Sequence, residues 1–183
     1  MTASLQGQRI VLGVCGGIAA YKAAELVRRL MQAGAQVQVA MTDNAGRFIG
    51  ATTLQALSGR PVRTSLWDEA AEAAMGHIEL ARWPTRVLVA PASANMLAKL
   101  AHGFADDLVS TLCLATDAPI TVAPAMNRLM WANAATRANV ETLRSRGITV
   151  LGPGVGEQAC GEVGEGRLIE PEAIVAALGV AAA

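Results

Sequence analysis

The chain has 183 residues, 16 % of them charged and 52 % hydrophobic, and its fifteen basic and fifteen acidic side chains cancel. That length suits one domain with a substantial core. The absence of net charge gives no footprint for nucleic acid or an anionic membrane, and apolar runs broken by Gly, Pro or charge exclude a membrane span.

The apolar excess points to subunit interfaces as well as a core. Met1-Thr-Ala-Ser-Leu-Gln-Gly7 lacks the basic-then-apolar pattern of a signal peptide. Cys15, Cys113 and Cys160 are odd in number, irregularly spaced and far in sequence from both histidines. They suit a reducing cytoplasm better than a disulfide framework or a zinc site.

Short β-rich runs alternate with helical patterns along the chain, the pattern of a parallel sheet flanked by helices. Arg9–Val14 reads as a buried strand running through Cys15-Gly-Gly17 into a helix with apolar positions at Ala20, Ala23, Ala24, Val27, Leu30 and Met31, stopped at Gly34. Gln36–Met41 is a second strand ending in Thr42, with a helix expected from about Gly46 to Ser58. Val62–Leu66 is a short third strand and Arg86–Ala90 a fourth, which ends in Pro91-Ala-Ser-Ala-Asn95.

Helices follow near Asn95–His102 and Asp106–Ala115. Pro119–Ala123 is a fifth strand, Ala134–Arg146 a helix, and Ile148–Leu151 a sixth strand. A Gly-rich loop, Gly152–Arg167, leads to a last helix opening at Pro171, a favoured first position. The pattern predicts one three-layer α/β domain over residues 1–183, a doubly wound parallel sheet. Ligands of such sheets bind beyond the carboxyl ends of the strands.

Several loops at those ends carry groups able to do chemistry. Gly13-Val-Cys-Gly-Gly-Ile-Ala-Ala20 lets backbone N–H groups approach a phosphate at a helix start. Its spacing is not Gly-x-Gly-x-x-Gly, and Thr42 stands where a dinucleotide enzyme has an acid, so a mononucleotide fits better than NAD; a tight structural turn is the alternative. Ser93 and Asn95 read equally as ligand contacts or helix caps, and Asp106 and Asp107 as caps.

His77, next to Gly76, can meet a ligand and titrate near neutrality, whereas His102 reads as a solvated helix end. Asn127 can donate two hydrogen bonds to a carboxylate without the grip of an arginine, or close an Asx-turn or cap a helix. Cys160, in the Gly-rich loop, suits an acid or nucleophile under a mobile flap. Cys15 and Cys113 read as inert filler.

Together Gly16-Gly-Ile-Ala-Ala-Tyr-Lys22, Gly76-His-Ile-Glu-Leu80, Pro124-Ala-Met-Asn-Arg-Leu-Met-Trp131 and Ala159-Cys-Gly-Glu162 resemble the flavin-containing cysteine decarboxylases over essentially the whole chain. The resemblance implies a Rossmann-like fold and an FMN cofactor contacted by Gly16, Gly17, Ile18, Thr42, Ser93, Asn95 and Ala125. It also implies decarboxylation of a small molecule, 4′-phosphopantothenoylcysteine, in coenzyme A biosynthesis. Oxidation of the substrate's thiol to a thioaldehyde, with FMN as acceptor, would create the sink for the electrons released with CO₂.

In that scheme His77 assists the oxidation, Asn127 holds the departing carboxylate, and Cys160 donates a proton as the enethiol is reduced. Met126, Ala159 and Gly161 would flank the substrate. The resemblance further implies a cytoplasmic homotrimer or homododecamer and a synthetase domain fused to the full-length protein. Two rival readings share much of the pattern: a peptidyl-cysteine decarboxylase and a non-catalytic flavoprotein that regulates a partner.

Overall fold

The computed structural model describes residues 4–180 apart from 68–75. Among these residues β1 (Arg9–Val14), β2 (Gln36–Met41), β3 (Arg86–Ala92), β4 (Ile120–Pro124) and β5 (Thr149–Val150) form one parallel sheet. Its order, β2-β1-β3-β4-β5, is doubly wound. The order reverses between β1 and β3, which opens a crevice at their carboxyl ends.

Apolar runs become strands here because both sheet faces are covered. Leu88 and Ala90 of β3 point into one core cluster and Val87 and Val89 into the other, and all four are inaccessible. The first cluster includes residues of α1 (Lys22–Gln32), α2 (Ala51–Ser58) and α8 (Pro171–Val180). The second includes residues of α3 (His77–Arg82), α4 (Ala94–His102), α5 (Leu108–Ala115) and α7 (Ala134–Ser145). Three layers result, as expected from the alternation of elements.

Helix α1 buries Ala23, Leu26, Val27 and Leu30 on one stripe, the spacing a helix needs to face a sheet. Ser93 caps α4 by accepting from Met96 N–H, and Asp107 closes a capping box with Ser110 at α5. The cap readings of these two residues therefore hold. No helix among the described residues is long and apolar enough to cross a membrane.

Four expectations need correction. Val62–Leu66 is not a strand: only Arg63 pairs, as an isolated bridge to Ala40. Pro61 just before it turns its carbonyl to the Gln38 side chain at 2.6 Å instead of joining a ladder. The helix expected from Gly46 starts as a 3-10 turn, Asp43–Arg47, and becomes α only at Ala51; two glycines in five residues weaken any α-helix there. Likewise the helix after Gly17 opens as a 3-10 turn, Ile18–Tyr21.

The fourth correction matters most for the site. Gly152–Arg167 is not an irregular loop but an antiparallel hairpin of β6 (Gly154–Glu157) and β7 (Val163–Arg167). Its glycines have little strand propensity, which hid it from the hydrophobic pattern.

Because Leu88 sits at the centre of the sheet with no access to solvent, Leu88→Ala is expected to cost about 2–5 kcal/mol of stability. Urea unfolding should show a lower midpoint at an unchanged slope.

Candidate active site

A cleft of about 680 Å³ opens at the carboxyl ends of β1, β3 and β4, a volume typical of cofactor and substrate sites. Its floor is the turn after β1, with Gly16, Gly17 and Ile18, and the turn after β3, with Ser93. Ala125, Met126 and Asn127, following β4, line the cleft together with Ala159 and Cys160 of the hairpin tip packed against them. Nine residues singled out from the sequence thus share one cleft although they span 145 positions (160 − 16 + 1).

Four do not join them. Thr42 is half-buried at the end of β2 and its N–H bonds Val14 O. Asn95 is exposed on α4, and Gly161 forms the hairpin turn at φ +80°. None of the three lines the cleft, nor does His77. The junction expected around His77 is instead the first turn of α3, capped by Gly76.

The turn after β1 is built for close approach. A Cβ on Gly16 would meet the Asn44 backbone at 2.7 Å, so a side chain there would push the two loops apart. At Gly17 nothing stands within 4 Å of the Cβ position, and no side chain caps the 3-10 turn that follows. The first N–H groups of such a turn have no partner within it; those of Ile18 and Ala19 belong to cleft-lining residues. Anion-binding amides beside the apolar side chains of Ile18, Tyr21, Met126 and Met130 suit a flat aromatic ring carrying a phosphate.

The opposite wall depends on α6 (Arg128–Ala132). Asn127 caps it: Oδ1 accepts from Leu129 N–H at 2.8 Å. This fixes the amide, so that Nδ2 turns to the hairpin and donates to Glu162 Oε2 at 2.9 Å. Cys160 Sγ lies 3.7 Å from both Asn127 Nδ2 and Glu162 Oε2. The cap and ligand readings of Asn127 are therefore compatible, since one end of the amide serves each.

Glu162 also accepts from Arg128 at 3.0 Å. The Asn127 N–H, and after it the Arg128 guanidinium, hold its carboxyl below the usual carboxylate range. Cys15, unlike the exposed Cys160, is buried, and burial pushes the Cys15 thiol up to about 12. Burial raises Cys113 as well. As the sequence suggested, these two thiols are structural.

Residues to which the sequence assigned no role in the site complete the wall. Gln158 bridges hairpin and loop, accepting from Arg128 N–H at 3.0 Å and donating to Met126 O at 3.1 Å. Arg167 and Lys22 line the cleft, and Glu170 pairs with both, at 3.6 and 2.9 Å. Only Glu162, a charged residue two positions after Cys160, hinted at this network.

The model of one protein family, described as "Flavoprotein", matches residues 1–181. The Coenzyme A biosynthesis bifunctional protein CoaBC of Escherichia coli (strain K12) is 59 % identical over 172 residues, 94 % of this chain. That of Vibrio parahaemolyticus is 57 % identical over an equal length. The chain spans 42–43 % of the length of these relatives.

Among solved structures, a cysteine-to-serine mutant of PPC decarboxylase complexed with pantothenoylaminoethenethiol superposes with a TM-score of 0.82 at 31 % identity, covering 94 % of this chain and 97 % of that one. The FMN-dependent cysteine decarboxylase SpaF matches at 0.81 and 31 %, covering 98 % and 100 %. The FMN binding protein AtHal3 matches at 0.80 and 32 %, covering 96 % of each chain.

Gly166 tests how the hairpin is held. At φ +143° its Cβ position collides with Met126 O and Gln158 Nε2. Gly166→Ala is expected to cost about 1–3 kcal/mol locally and to speed limited proteolysis within residues 158–162. Unaltered cleavage there would mean that the hairpin is secured elsewhere.

Proposed function

The chain belongs to the flavoprotein family, and on that premise we propose that residues 1–183 are an FMN-dependent carboxy-lyase domain that converts 4′-phosphopantothenoylcysteine to 4′-phosphopantetheine. In the full-length protein this domain would adjoin a synthetase, in the cytoplasm, as in a bifunctional coenzyme A biosynthesis protein. The observation that carries the reading is the meeting of Asn127 and Cys160, 3.7 Å apart, at the edge of a cleft floored by the Gly16-Gly17 turn. A peptide substrate or a purely regulatory role draws on no feature of the cleft that the small-molecule reading leaves unused.

FMN would lie on Gly16, Gly17, Ile18, Ser93 and Ala125, all of which line the cleft. Thr42 and Asn95 would act only from behind these residues. Bound there, FMN would supply reversible two-electron chemistry at the thiol-bearing carbon of the substrate, with no net oxidation over the cycle. The protein's own residues then have three tasks.

Asn127 donates N–H to the substrate carboxylate. Being neutral, the amide holds that anion without stabilising it so far that CO₂ loss is slowed. Met126 and Ala159 flank the chain of the substrate, and Gly161 gives the hairpin turn its shape. Cys160 delivers the proton from Sγ to carbon as the enethiol is reduced, and the hairpin keeps water from the reactive thiocarbonyl.

His77 would act as base on the substrate thiol, and it does so from a neighbouring copy. His77 opens α3 and does not line the cleft of its own subunit, so a role on substrate requires a second copy. Ile18 and Tyr21 are 66 % and 62 % exposed at that cleft, an apolar rim suited to a second subunit in a homotrimer or a homododecamer.

Purified protein is expected to be yellow and to release CO₂ from 4′-phosphopantothenoylcysteine; colourless or FMN-loaded but inert protein overturns the reading. Cys160→Ser should still lose CO₂ but accumulate the enethiol, slowing complete turnover by about 10²-fold or more. His77→Asn and Cys160→Ser, each inactive alone, should recover part of the activity when co-expressed, because a mixed trimer contains one interface with both residues intact. No recovery would place His77 and Cys160 in the same subunit's site or outside the mechanism.

A further inference from the structure

We infer that Glu162 is a positioning residue that occupies the Asn127 amide in the substrate-free protein and gives it up to the substrate's carboxylate. This rests on the decarboxylase reading for the identity of the incoming carboxylate, but the contact itself is a feature of this chain. Nδ2 of Asn127 has two N–H bonds. One goes to Glu162 Oε2 at 2.9 Å and the other faces the region of Cys160 Sγ, 3.7 Å away. Oδ1 is committed to Leu129 N–H, so the amide cannot flip to offer anything else.

A substrate carboxylate arriving at Asn127 therefore meets an anion already in place. The Asn127 N–H and Arg128 both favour the charged form of Glu162. Two carboxylates do not share one donor without mutual repulsion, so Glu162 has to swing aside. Arg128, 3.0 Å from Oε1, keeps hold of it as it does so.

The backbone of the tip need not open for this exchange. Gln158 N–H still bonds Glu162 O at 2.8 Å, and Gly161 N–H still bonds Gln158 O at 2.8 Å. The movement is one of side-chain rotamer. In the substrate-free state Glu162 keeps the amide aimed at the cysteine. Once CO₂ has gone, the carboxylate of Glu162 returns, and a product lacking a carboxylate has nothing with which to displace it. Glu162 thereby sets discrimination between the carboxylated substrate and the decarboxylated product.

The test uses the FMN-loaded protein and two variants that break the same ion pair from opposite sides. Glu162→Gln removes the competing charge but keeps an acceptor for Asn127. It is expected to lower KM for 4′-phosphopantothenoylcysteine about two- to fivefold, in keeping with one part-exposed charged contact, and to leave inhibition by 4′-phosphopantetheine unchanged. Arg128→Ala leaves Glu162 uncompensated beside the incoming anion and should raise KM.

A role confined to bracing the hairpin would move KM in the same direction for both variants, or shift substrate and product together; either result overturns the inference. Wild-type protein that turns nothing over sinks the decarboxylase reading instead. Glu162 is then judged on the side-chain amide resonances of Asn127 without any ligand. They shift in Glu162→Gln if the contact exists in solution, and stay fixed if it does not.

Discussion

Met126 N–H donates to Gly166 O at 2.9 Å, and the rest of the cleft follows from this seam between the loop after β4 and the hairpin. The sheet alone offers only a shallow crevice at the strand ends. Chain some forty residues further on is fastened over that crevice, with Gln158 reaching back to both Met126 O and Arg128 N–H. A seam of this kind needs glycine on the hairpin side, because a Cβ at Gly164 would meet the Arg128 side chain at 3.0 Å and one at Gly166 would strike the Met126 carbonyl. The same substitutions that let the backbones approach leave the hairpin without a hydrophobic face of its own. Its place is set by polar contacts to α6, and polar contacts at part-exposed positions are the ones that can be exchanged for a ligand.

That origin explains what could be read from the sequence. Strands β1, β3 and β4 are runs of branched apolar residues between glycine, proline or charge, and their burial on both faces keeps pattern and outcome in agreement. Ser93 and Asp107 were legible as caps because capping is decided within four residues. The hairpin was not legible, since glycine weakens strand propensity and nothing local announces a partner loop. Val62–Leu66 erred the other way: a β-like composition beside Pro61 yielded a single bridge at Arg63.

The site shows the same division. Asn127 and Cys160 could be singled out by residue type, but their proximity depends on the seam, which no spacing records. Thr42 and Asn95 were chosen because they follow strands; Thr42 instead bonds the end of β1, and Asn95 faces solvent as the second residue of α4. Glu162 could be quoted as part of a motif but given no role. Its importance lies in the three side chains, Asn127, Arg128 and Cys160, that surround one carboxylate, and such an arrangement exists only in three dimensions.

The choice among the three thiols follows from solvation alone. A thiol is useful in acid–base chemistry when its charged form can be reached and its proton has somewhere to go. Cys15 sits under the sheet end with its thiol raised to about 12 by loss of water, and Cys113 is raised by the same cause. Neither can ionise without a hydration shell that the core does not supply. Cys160 alone is exposed, and it is held near Asn127 by a turn rather than by a core. Access and order are thus supplied by different parts of the chain: the sheet fixes the floor of the cleft, and a glycine hairpin carries the one exposed thiol.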